Sequence, residues 1–242
     1  MSRLGRALLT ARILADRLRG KPIFESPHYR ESELTRLANL FAHVDLGWWK
    51  GMRVLEVGAG FGRFGDAFHH LGFDVTSSDG RPEYVQRMAA RGRRAFRLDL
   101  EEVTPQDLAG YDLVLAFGVL YHLKNPARLI DACGKTVEVL LLETAVSDKS
   151  EPVLNPVPES TGWLGPDQAL SGVGCRPSPS WVETHARASG FTRVTDISSP
   201  IANWDVGAFD WKPRDSGEAR REGVNLRKMW VCEKTSARGP TQ

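Results

Sequence analysis

The feature that most constrains this chain is a short apolar run that breaks into closely spaced glycines. Residues 53–57 have the composition of a buried strand. The glycines that follow are Gly58, Gly60 and Gly62. Four apolar side chains then recur at the spacing of one helical face: Phe61, Phe64, Phe68 and Leu71. A strand, a glycine turn and a helix start form a cradle where a ligand can approach the backbone and meet the unpaired N–H groups of the first helical turn.

Two classes of cofactor-binding domain use such a cradle, and the residues around the glycines help to distinguish them. Residues 60–65 satisfy G-x-G-x-x-G, the pattern of dinucleotide-binding domains, with an acid at Asp79 after the next strand. The longer string, which starts at Glu56, resembles the first motif of the class I S-adenosylmethionine-dependent methyltransferases. The resemblance implies that S-adenosylmethionine is the cofactor and that the string contacts it through Glu56, Gly58, Ala59, Gly60 and Gly62.

The second predicted strand ends in an acidic residue. Residues 73–77 form this strand, which brings Asp79 and Gly80 to the carboxyl edge of the sheet, where open α/β sheets bind their ligands. A carboxylate at that edge can accept hydrogen bonds from both hydroxyls of a ribose. We therefore predict that Asp79 binds the cofactor; the alternative is a turn or helix-capping aspartate.

The third predicted strand, residues 94–98, also ends in an acid. Asp99 and Leu100 follow it directly. In the methyltransferase family, an acid here accepts a hydrogen bond from the exocyclic amine of adenine, and the next apolar residue packs on the ring. The resemblance implies these roles for Asp99 and Leu100, with a plain loop aspartate as the alternative.

A second block of the sequence carries the same resemblance. Residues 113–117 are a continuous apolar run, typical of a central strand that is covered on both faces. The following Gly-Val-Leu-Tyr-His-Leu resembles the end of the fourth strand in the same family, especially in a group with wobble-uridine tRNA enzymes and small-molecule and sugar O-methyltransferases. The resemblance implies a backbone contact from Phe117 beside the donor. Both blocks together favour a methyltransferase over a nicotinamide enzyme.

The implied chemistry suggests which residues are catalytic. A methyl group on a sulfonium is already activated, so the protein mainly aligns the acceptor and excludes water. A hydroxyl acceptor must also lose its proton, and histidine is a suitable base near neutral pH. His122 and Tyr121 are the candidates; the alternative is that they pack in the loop and orient their neighbours. Glu143 is a further candidate for contact with the methyl acceptor or with a divalent ion. The sequence shows no cluster of metal-ligating residues, so no metal is predicted.

The order of the predicted elements indicates the fold class. Strands alternate with helices as far as residue 144, a further helix and strand follow at residues 178–197, and residues 226–233 form a last strand. We expect an α/β fold with a seven-stranded, doubly wound, mostly parallel sheet. In the resembled family the last strand is antiparallel to the others, and the same is expected here.

The chain is predicted to consist of an N-terminal helical segment (residues 1–49), a methyltransferase domain (50–234) and a flexible tail (235–242). Two stretches without regular pattern, 145–178 and 199–225, interrupt the domain, and we interpret them as lids over the acceptor. Their aromatic residues suit a flat or sugar-like acceptor, or alternatively form the core of the lids: Trp163, Trp204, Phe209 and Trp211.

The charge and the cysteine content limit which binding partners and which cellular setting are expected. The net charge of +2 and the pI of about 8.5 do not call for a nucleic acid. The three cysteines are odd in number, widely spaced and without a CxxC pattern. They do not form the pattern of a disulfide framework, which predicts a reducing, cytoplasmic setting. Residues 1–21 form a basic amphipathic pattern. We expect this helix to pack on its own domain or on a second subunit of an oligomer. The alternatives are peripheral membrane contact, a partner-binding helix and a transit peptide.

The resemblance and the candidate base together predict a methyltransferase that acts on the oxygen of a small molecule or glycan. One alternative is a tRNA-modifying enzyme of the wobble-uridine type, which the modest charge does not favour. Another is a binding protein that keeps the fold but transfers nothing. The donor positions are filled with the expected residue types, which argues against such a loss.

Overall fold

The computed structural model describes residues 23–25, 27–159, 169–198, 207–208, 220–221 and 224–235. The predictions for the basic segment 1–21 and for the four tryptophan and phenylalanine residues of the insertions concern positions outside these ranges. Within them, no helix is both long enough and apolar enough to span a membrane.

The helices begin and end where local sequence signals place them. Helix α2 (Arg63–His70) buries Phe64 and Phe68 and exposes His69 and His70, as its apolar spacing predicts. Four of the five described helices begin with proline, whose missing N–H costs no hydrogen bond in the first turn. The helices are α1 (Pro27–His43), α2 (Arg63–His70), α3 (Pro82–Ala89), α4 (Pro126–Thr136) and α5 (Pro179–Ala188).

The strands build one large sheet and one small hairpin. The strands of the large sheet are β1 (Arg53–Val57), β2 (Asp74–Asp79), β3 (Ala95–Arg97), β4 (Leu113–Phe117), β5 (Val139–Ala145), β8 (Arg193–Asp196), β9 (Gly207–Ala208), β10 (Arg220–Arg221) and β11 (Val224–Glu233). The hairpin consists of β6 (Pro156–Pro158) and β7 (Val173–Cys175), which pair antiparallel.

The topology of the large sheet confirms the predicted fold class. The strand order is β3-β2-β1-β4-β5-β11, with β8 on the far side of β11. Pairing is parallel from β3 to β5, whereas β11 is antiparallel to both β5 and β8. The short β9 and β10 add to one end of β11. The chain changes direction of travel between β1 and β4, and such a switch point opens a crevice at the carboxyl edge of the sheet.

Two apolar clusters cover the two faces of the sheet. Every residue of β4 and β5 is buried, as expected for central strands. The cluster on one face includes side chains of α4 and α5, and the cluster on the other face includes side chains of α1 and α2. Because side chains alternate along a strand, Glu56 and Glu143 point to the same face as the apolar residues that pack under α1 and α2.

Several local features differ from the sequence predictions. The short β9 and β10 lie in the second stretch, 199–225, which was predicted to lack regular pattern. Strand β2 extends through Asp79, which pairs with Arg97 of β3, so that Asp79 ends the strand instead of following it. The first insertion, predicted to lack regular pattern, contains the β6–β7 hairpin. Each of its strands is three residues long and β6 is bounded by prolines, so no alternating pattern could reveal it.

Candidate active site

The glycine loop connects β1 to α2 in a conformation that needs glycine. Gly58, Gly60 and Gly62 have φ angles of 59°, 55° and 72°, in the left-handed region. A Cβ on Gly58 would lie 2.2 Å from Cγ2 of Val119, in the loop after β4. The loop after β1 therefore passes the loop after β4 at a distance that a side chain would prevent. The amides of the first turn of α2 lie beside this crossing.

Asp79 is held directly against the glycine loop. Its Oδ2 accepts a hydrogen bond from the N–H of Gly60 at 2.8 Å, and its Oδ1 accepts one from the N–H of Arg81 at 2.9 Å. Burial raises the pKa of Asp79, against these two hydrogen bonds, which lower it. The structure thus brings together two features that the sequence predicted to share one site.

Glu56 lies beneath the same loop. Its Oε2 accepts a hydrogen bond from Oγ of Ser77 at 2.7 Å, and a Cβ on Gly65 would lie 2.5 Å from that oxygen. Its Oε1 is buried and has no hydrogen-bond partner in the described part of the chain. Burial raises the pKa of Glu56 to about 7, against hydrogen bonds from Ser77 and the Gly65 amide. Glu56 supports the start of α2, and its unpaired oxygen is the kind of buried acceptor that a ligand satisfies.

The other predicted adenosine contacts lie along the adjacent strand ends. Asp99 is half-buried and its Oδ1 accepts a hydrogen bond from the N–H of Glu101 at 3.0 Å. Leu100 is buried in the core cluster under the sheet. A Cβ on Gly80 would lie 2.4 Å from Cδ1 of Leu170, a residue of the first insertion. The insertion therefore reaches the edge where Asp79 and Gly80 lie.

Phe117 is the last residue of β4, and its side chain belongs to the core. The ring packs edge-on against Phe64 of α2, with 5.0 Å between centroids. The next amide, of Gly118, donates to the carbonyl of Glu143 at 2.9 Å. Any contact of Phe117 with a ligand at this edge would come from its backbone, as the resemblance implies.

Tyr121 and His122 lie in a single turn of 3-10 helix after β4, Leu120–His122. Their rings are 4.0 Å apart. Nδ1 of His122 is 2.5 Å from Oε2 of Glu159, which follows β6. The guanidinium groups of Arg176 and Arg227 lie 4.9 Å and 5.0 Å from the centroid of the Tyr121 ring.

A buried ionic cluster lies next to this turn and was not predicted from the sequence. Arg227 of β11 donates from Nε and Nη2 to the two carboxylate oxygens of Glu143, and Nη1 of Arg36 in α1 is 3.7 Å from Oε2 of the same glutamate. Burial alone would raise the pKa of Glu143, but the two arginines outweigh it and hold the pKa below its usual range. The sequence makes Glu143 a candidate contact of the methyl acceptor or of a metal, but its carboxylate is engaged by the arginines.

The segment before α1 also contributes to the site. The ring of Phe24 lies over the glycine loop, because a Cβ on Gly60 would be 2.6 Å from its Cζ. The same ring packs against Tyr29, Phe61 and Tyr84, with centroid distances of 5.0, 4.9 and 5.4 Å. The sequence around Phe24 did not predict its contact with the glycine loop, because this contact depends on how α1 docks on the sheet.

Comparison with known families agrees with this geometry. The sequence profile of a family described as "Methyltransferase domain" matches residues 27–195. The chain belongs to this methyltransferase family. The match confirms the sequence-based family prediction and, with it, S-adenosylmethionine as the predicted cofactor. The roles of the individual site residues stay predictions.

Individual relatives of this methyltransferase are distant. It is 27% identical to a ubiquinone biosynthesis O-methyltransferase of Xylella fastidiosa, over 45% of this chain and 56% of that protein. It is 31% identical to a ubiquinone biosynthesis O-methyltransferase of Xanthomonas oryzae, over 43% of this chain and 44% of that protein. The chain thus spans about half the length of the curated relatives it matches.

Solved structures share the fold of this methyltransferase. The N-terminal domain of EvdMO1, solved in the presence of S-adenosylhomocysteine (SAH) and D-fucose, has a TM-score of 0.63 at 18% identity, and the match covers 86% of this chain and 84% of that one. An S-adenosylmethionine-dependent methyltransferase from Mesorhizobium loti has a TM-score of 0.57 at 17% identity, with 83% and 98% covered.

Replacing Asp79 by alanine should weaken SAH binding to this methyltransferase by roughly 10²-fold, since a charged acceptor is lost and the Gly60 amide is left without its partner. Isothermal titration calorimetry measures the change. The matched control is Asp107→Ala, which removes an exposed aspartate that caps a 3-10 turn. Equal SAH affinity of the Asp79 variant and wild type would contradict the prediction that Asp79 binds the cofactor.

The stability of this methyltransferase should depend on pH through Glu56. Its pKa is raised from 4.5 to about 7 on folding, so the folded state retains a proton that the unfolded state releases. The stability that the protonated Glu56 side chain contributes is fully present below pH 4.5 and is lost as the pH rises to about 7. Relative to Glu56→Gln, wild type should lose roughly 2 kcal/mol of unfolding free energy between about pH 5 and pH 7. Urea denaturation at both pH values measures the difference; a constant difference would contradict the raised pKa.

Proposed function

We propose that this protein transfers a methyl group from S-adenosylmethionine to a hydroxyl oxygen of a small molecule. The observation that carries the proposal is His122, which lies on the turn after β4, beside the crossing with the glycine loop, with one ring nitrogen fixed by a buried carboxylate. The names of the relatives, ubiquinone biosynthesis O-methyltransferases, support oxygen as the accepting atom.

The cofactor would be held by the edge that the glycine loop and the two strand ends form. The amides of the loop and the carboxylate of Asp79 would bind the ribose and methionine parts, and Asp99 with Leu100 would receive the adenine. Glu56 supports the loop from below, and its buried Oε1 offers a free acceptor. The left-handed φ angles of Gly58, Gly60 and Gly62 would allow the loop to present its amides to the cofactor. Ala59 and Gly80 would line the same edge, and Phe117 would contribute through its backbone.

The protein's own part in the reaction is to hold the acceptor and to take its proton. When bound, the cofactor supplies an electrophilic methyl group, whose bond to sulfur breaks with its electron pair remaining on sulfur. His122 would accept the hydroxyl proton at Nε2 as the oxygen forms its bond to the methyl carbon. Tyr121 would line the acceptor position, between the two arginines that flank its ring.

We also propose that the first insertion covers the acceptor. Leu170 lies against Gly80, and the β6–β7 hairpin docks on the turn that carries His122. Together these contacts span the distance from the predicted ribose position to the predicted base. Exclusion of water by such a cover would protect the alignment that methyl transfer requires.

The test combines binding with turnover. Calorimetry with SAH should detect binding, and methyl-labelled S-adenosylmethionine should transfer label to catechol or to D-fucose, which represent aromatic and sugar hydroxyls. Bulk tRNA is the third acceptor. Label on tRNA alone would favour the tRNA alternative, and SAH binding without label on any acceptor would favour the binding-protein alternative. Absence of SAH binding would contradict the proposal as a whole.

A further inference from the structure

We infer that Glu159, contributed by the first insertion, is the positioning residue of the base: it fixes the tautomer of His122 so that Nε2 is free to accept the acceptor's proton. This inference rests on the proposed function. The inference extends the proposed function to a residue that lies in a different part of the chain and that no sequence pattern singled out.

The first step is the geometry at His122. Its Nδ1 is 2.5 Å from Oε2 of Glu159, a hydrogen-bond distance. An ionised carboxylate can only accept, so Nδ1 carries the hydrogen. In a neutral imidazole the other nitrogen then has the lone pair, which is the form that a general base at Nε2 requires.

The second step is how firmly Glu159 is held. Its Oε1 accepts a hydrogen bond from Nη1 of Arg176 at 3.0 Å, and its Oε2 also accepts one from the N–H of Ala169 at 3.0 Å. The side chain is only 3% exposed. Burial alone would raise the pKa of Glu159, but His122 and Arg176 outweigh it and hold the pKa below its usual range. The carboxylate therefore stays ionised and keeps one orientation.

The third step is how the insertion reaches this point. The N–H of Glu159 donates to the carbonyl of Gly172 across the hairpin. A Cβ on Gly174 would lie 2.3 Å from the carbonyl oxygen of Tyr121 and 2.9 Å from Oε1 of Glu159. The hairpin thus lies directly on the catalytic turn, and its close approach depends on glycine at that position. Arg176, just after β7, donates to Glu159 and to the carbonyl of Tyr121.

The proton balance is simple. The hydroxyl proton moves to Nε2 of His122, and the electron pair it leaves behind forms the bond from oxygen to the methyl carbon. The imidazolium that results has hydrogen on both nitrogens, and Glu159 stabilises its charge across Nδ1. The proton on Nδ1 does not move, and Glu159 is ionised before and after the step.

The variant Glu159→Gln tests this arrangement sharply. Both carboxylate oxygens accept from a donor, Oε1 from Arg176 and Oε2 from the N–H of Ala169. The bond from the charged guanidinium is the stronger one, so the amide oxygen keeps the position that faces Arg176 and the amide nitrogen faces Nδ1 of His122. The amide then donates to Nδ1, and the hydrogen of the imidazole moves to Nε2, which can no longer accept a proton. We expect kcat with the hydroxyl acceptor to fall roughly 10²-fold while SAH affinity stays unchanged. The matched control, Glu102→Gln, alters an exposed glutamate paired with Arg128 and should retain wild-type kcat.

Two further measurements separate positioning from general structural damage. In a double-mutant cycle, Glu159→Gln should cause no additional loss of kcat in a His122→Asn background. With nitrocatechol, whose hydroxyl is more acidic than that of catechol, Glu159→Gln should lose clearly less activity, because less help from a base is needed. Additive losses, or equal losses on both catechols, would overturn the inference.

A last measurement needs no acceptor. Nitrogen NMR of histidine-labelled protein should show His122 with hydrogen on Nδ1 in wild type and on Nε2 in Glu159→Gln. His185, which pairs with Asp131 through Nε2, is the internal control and should be unaffected. Hydrogen on Nε2 of His122 in wild type would overturn the inference. A wild-type protein that binds SAH but methylates no hydroxyl would contradict the proposed function, while the tautomer of His122 would still decide the role of Glu159.

Discussion

Replacing Arg227 by methionine is expected to lower the free energy of unfolding by roughly 3–5 kcal/mol. Arg227 and Glu143 are almost completely buried, and the arginine engages both oxygens of the glutamate. The substitution leaves a buried carboxylate whose remaining partner in the cluster, Arg36, is 3.7 Å away. Removing one member of a buried ion pair strands the charge of the other, which costs far more than an exposed pair contributes.

Urea denaturation measures this loss. The matched control is Arg128→Met, which breaks the pair of Arg128 with Glu102, whose side chains are 39% and 77% exposed. That variant should lose less than about 1 kcal/mol. Arg227→Lys should be intermediate, because lysine keeps the charge but cannot engage both oxygens with a rigid fork. Equal losses for Arg227→Met and Arg128→Met would contradict the assigned role of the buried cluster.

The second large effect is expected on turnover. His122→Asn should lower kcat for a hydroxyl acceptor by roughly 10²- to 10⁴-fold, because the group that takes the acceptor's proton is gone. SAH affinity should stay within a factor of about two, well below the tenfold that 1.4 kcal/mol represents. The reason is that the described contacts of the His122 side chain are with Glu159 and Tyr121, and none is with the glycine loop. Steady-state kinetics and calorimetry on the same preparation separate the two quantities.

His185→Asn is the control for this variant. His185 also pairs with a carboxylate, Asp131, and stacks on Trp181, but it lies in α5, at a different position from the predicted site. The control should keep wild-type kcat. If His122→Asn also keeps it, His122 is not the base and the alternative from the sequence, a ring that packs in the loop, is favoured.

Much of the fold and part of the site could be predicted because their signals are local. A glycine at a left-handed φ, an apolar run of strand length and an acid at the end of a strand are each determined by neighbours in the sequence. Parallel strands place their ends at one edge, so Asp79 and the glycine loop were expected to meet, and the bond to Gly60 confirms that they do. The boundary of β2 was wrong by two residues, since pairing with β3 extends it through Asp79.

The contacts around His122 could not be predicted from local sequence signals. Arg227 and Glu143 are 84 positions apart, and Glu159 lies 37 positions after His122 in a segment that read as irregular. No spacing rule links such residues, because their meeting depends on how α1, β11 and the β6–β7 hairpin dock on the finished sheet.

The sequence by itself therefore determined the glycine loop, the sheet and the family, through local backbone preferences and the alternation of apolar residues. The tertiary structure alone decided which charged side chains surround the proposed base. Burial of a charge is tolerated only where an opposite charge reaches it, and that match is made between elements distant in the chain.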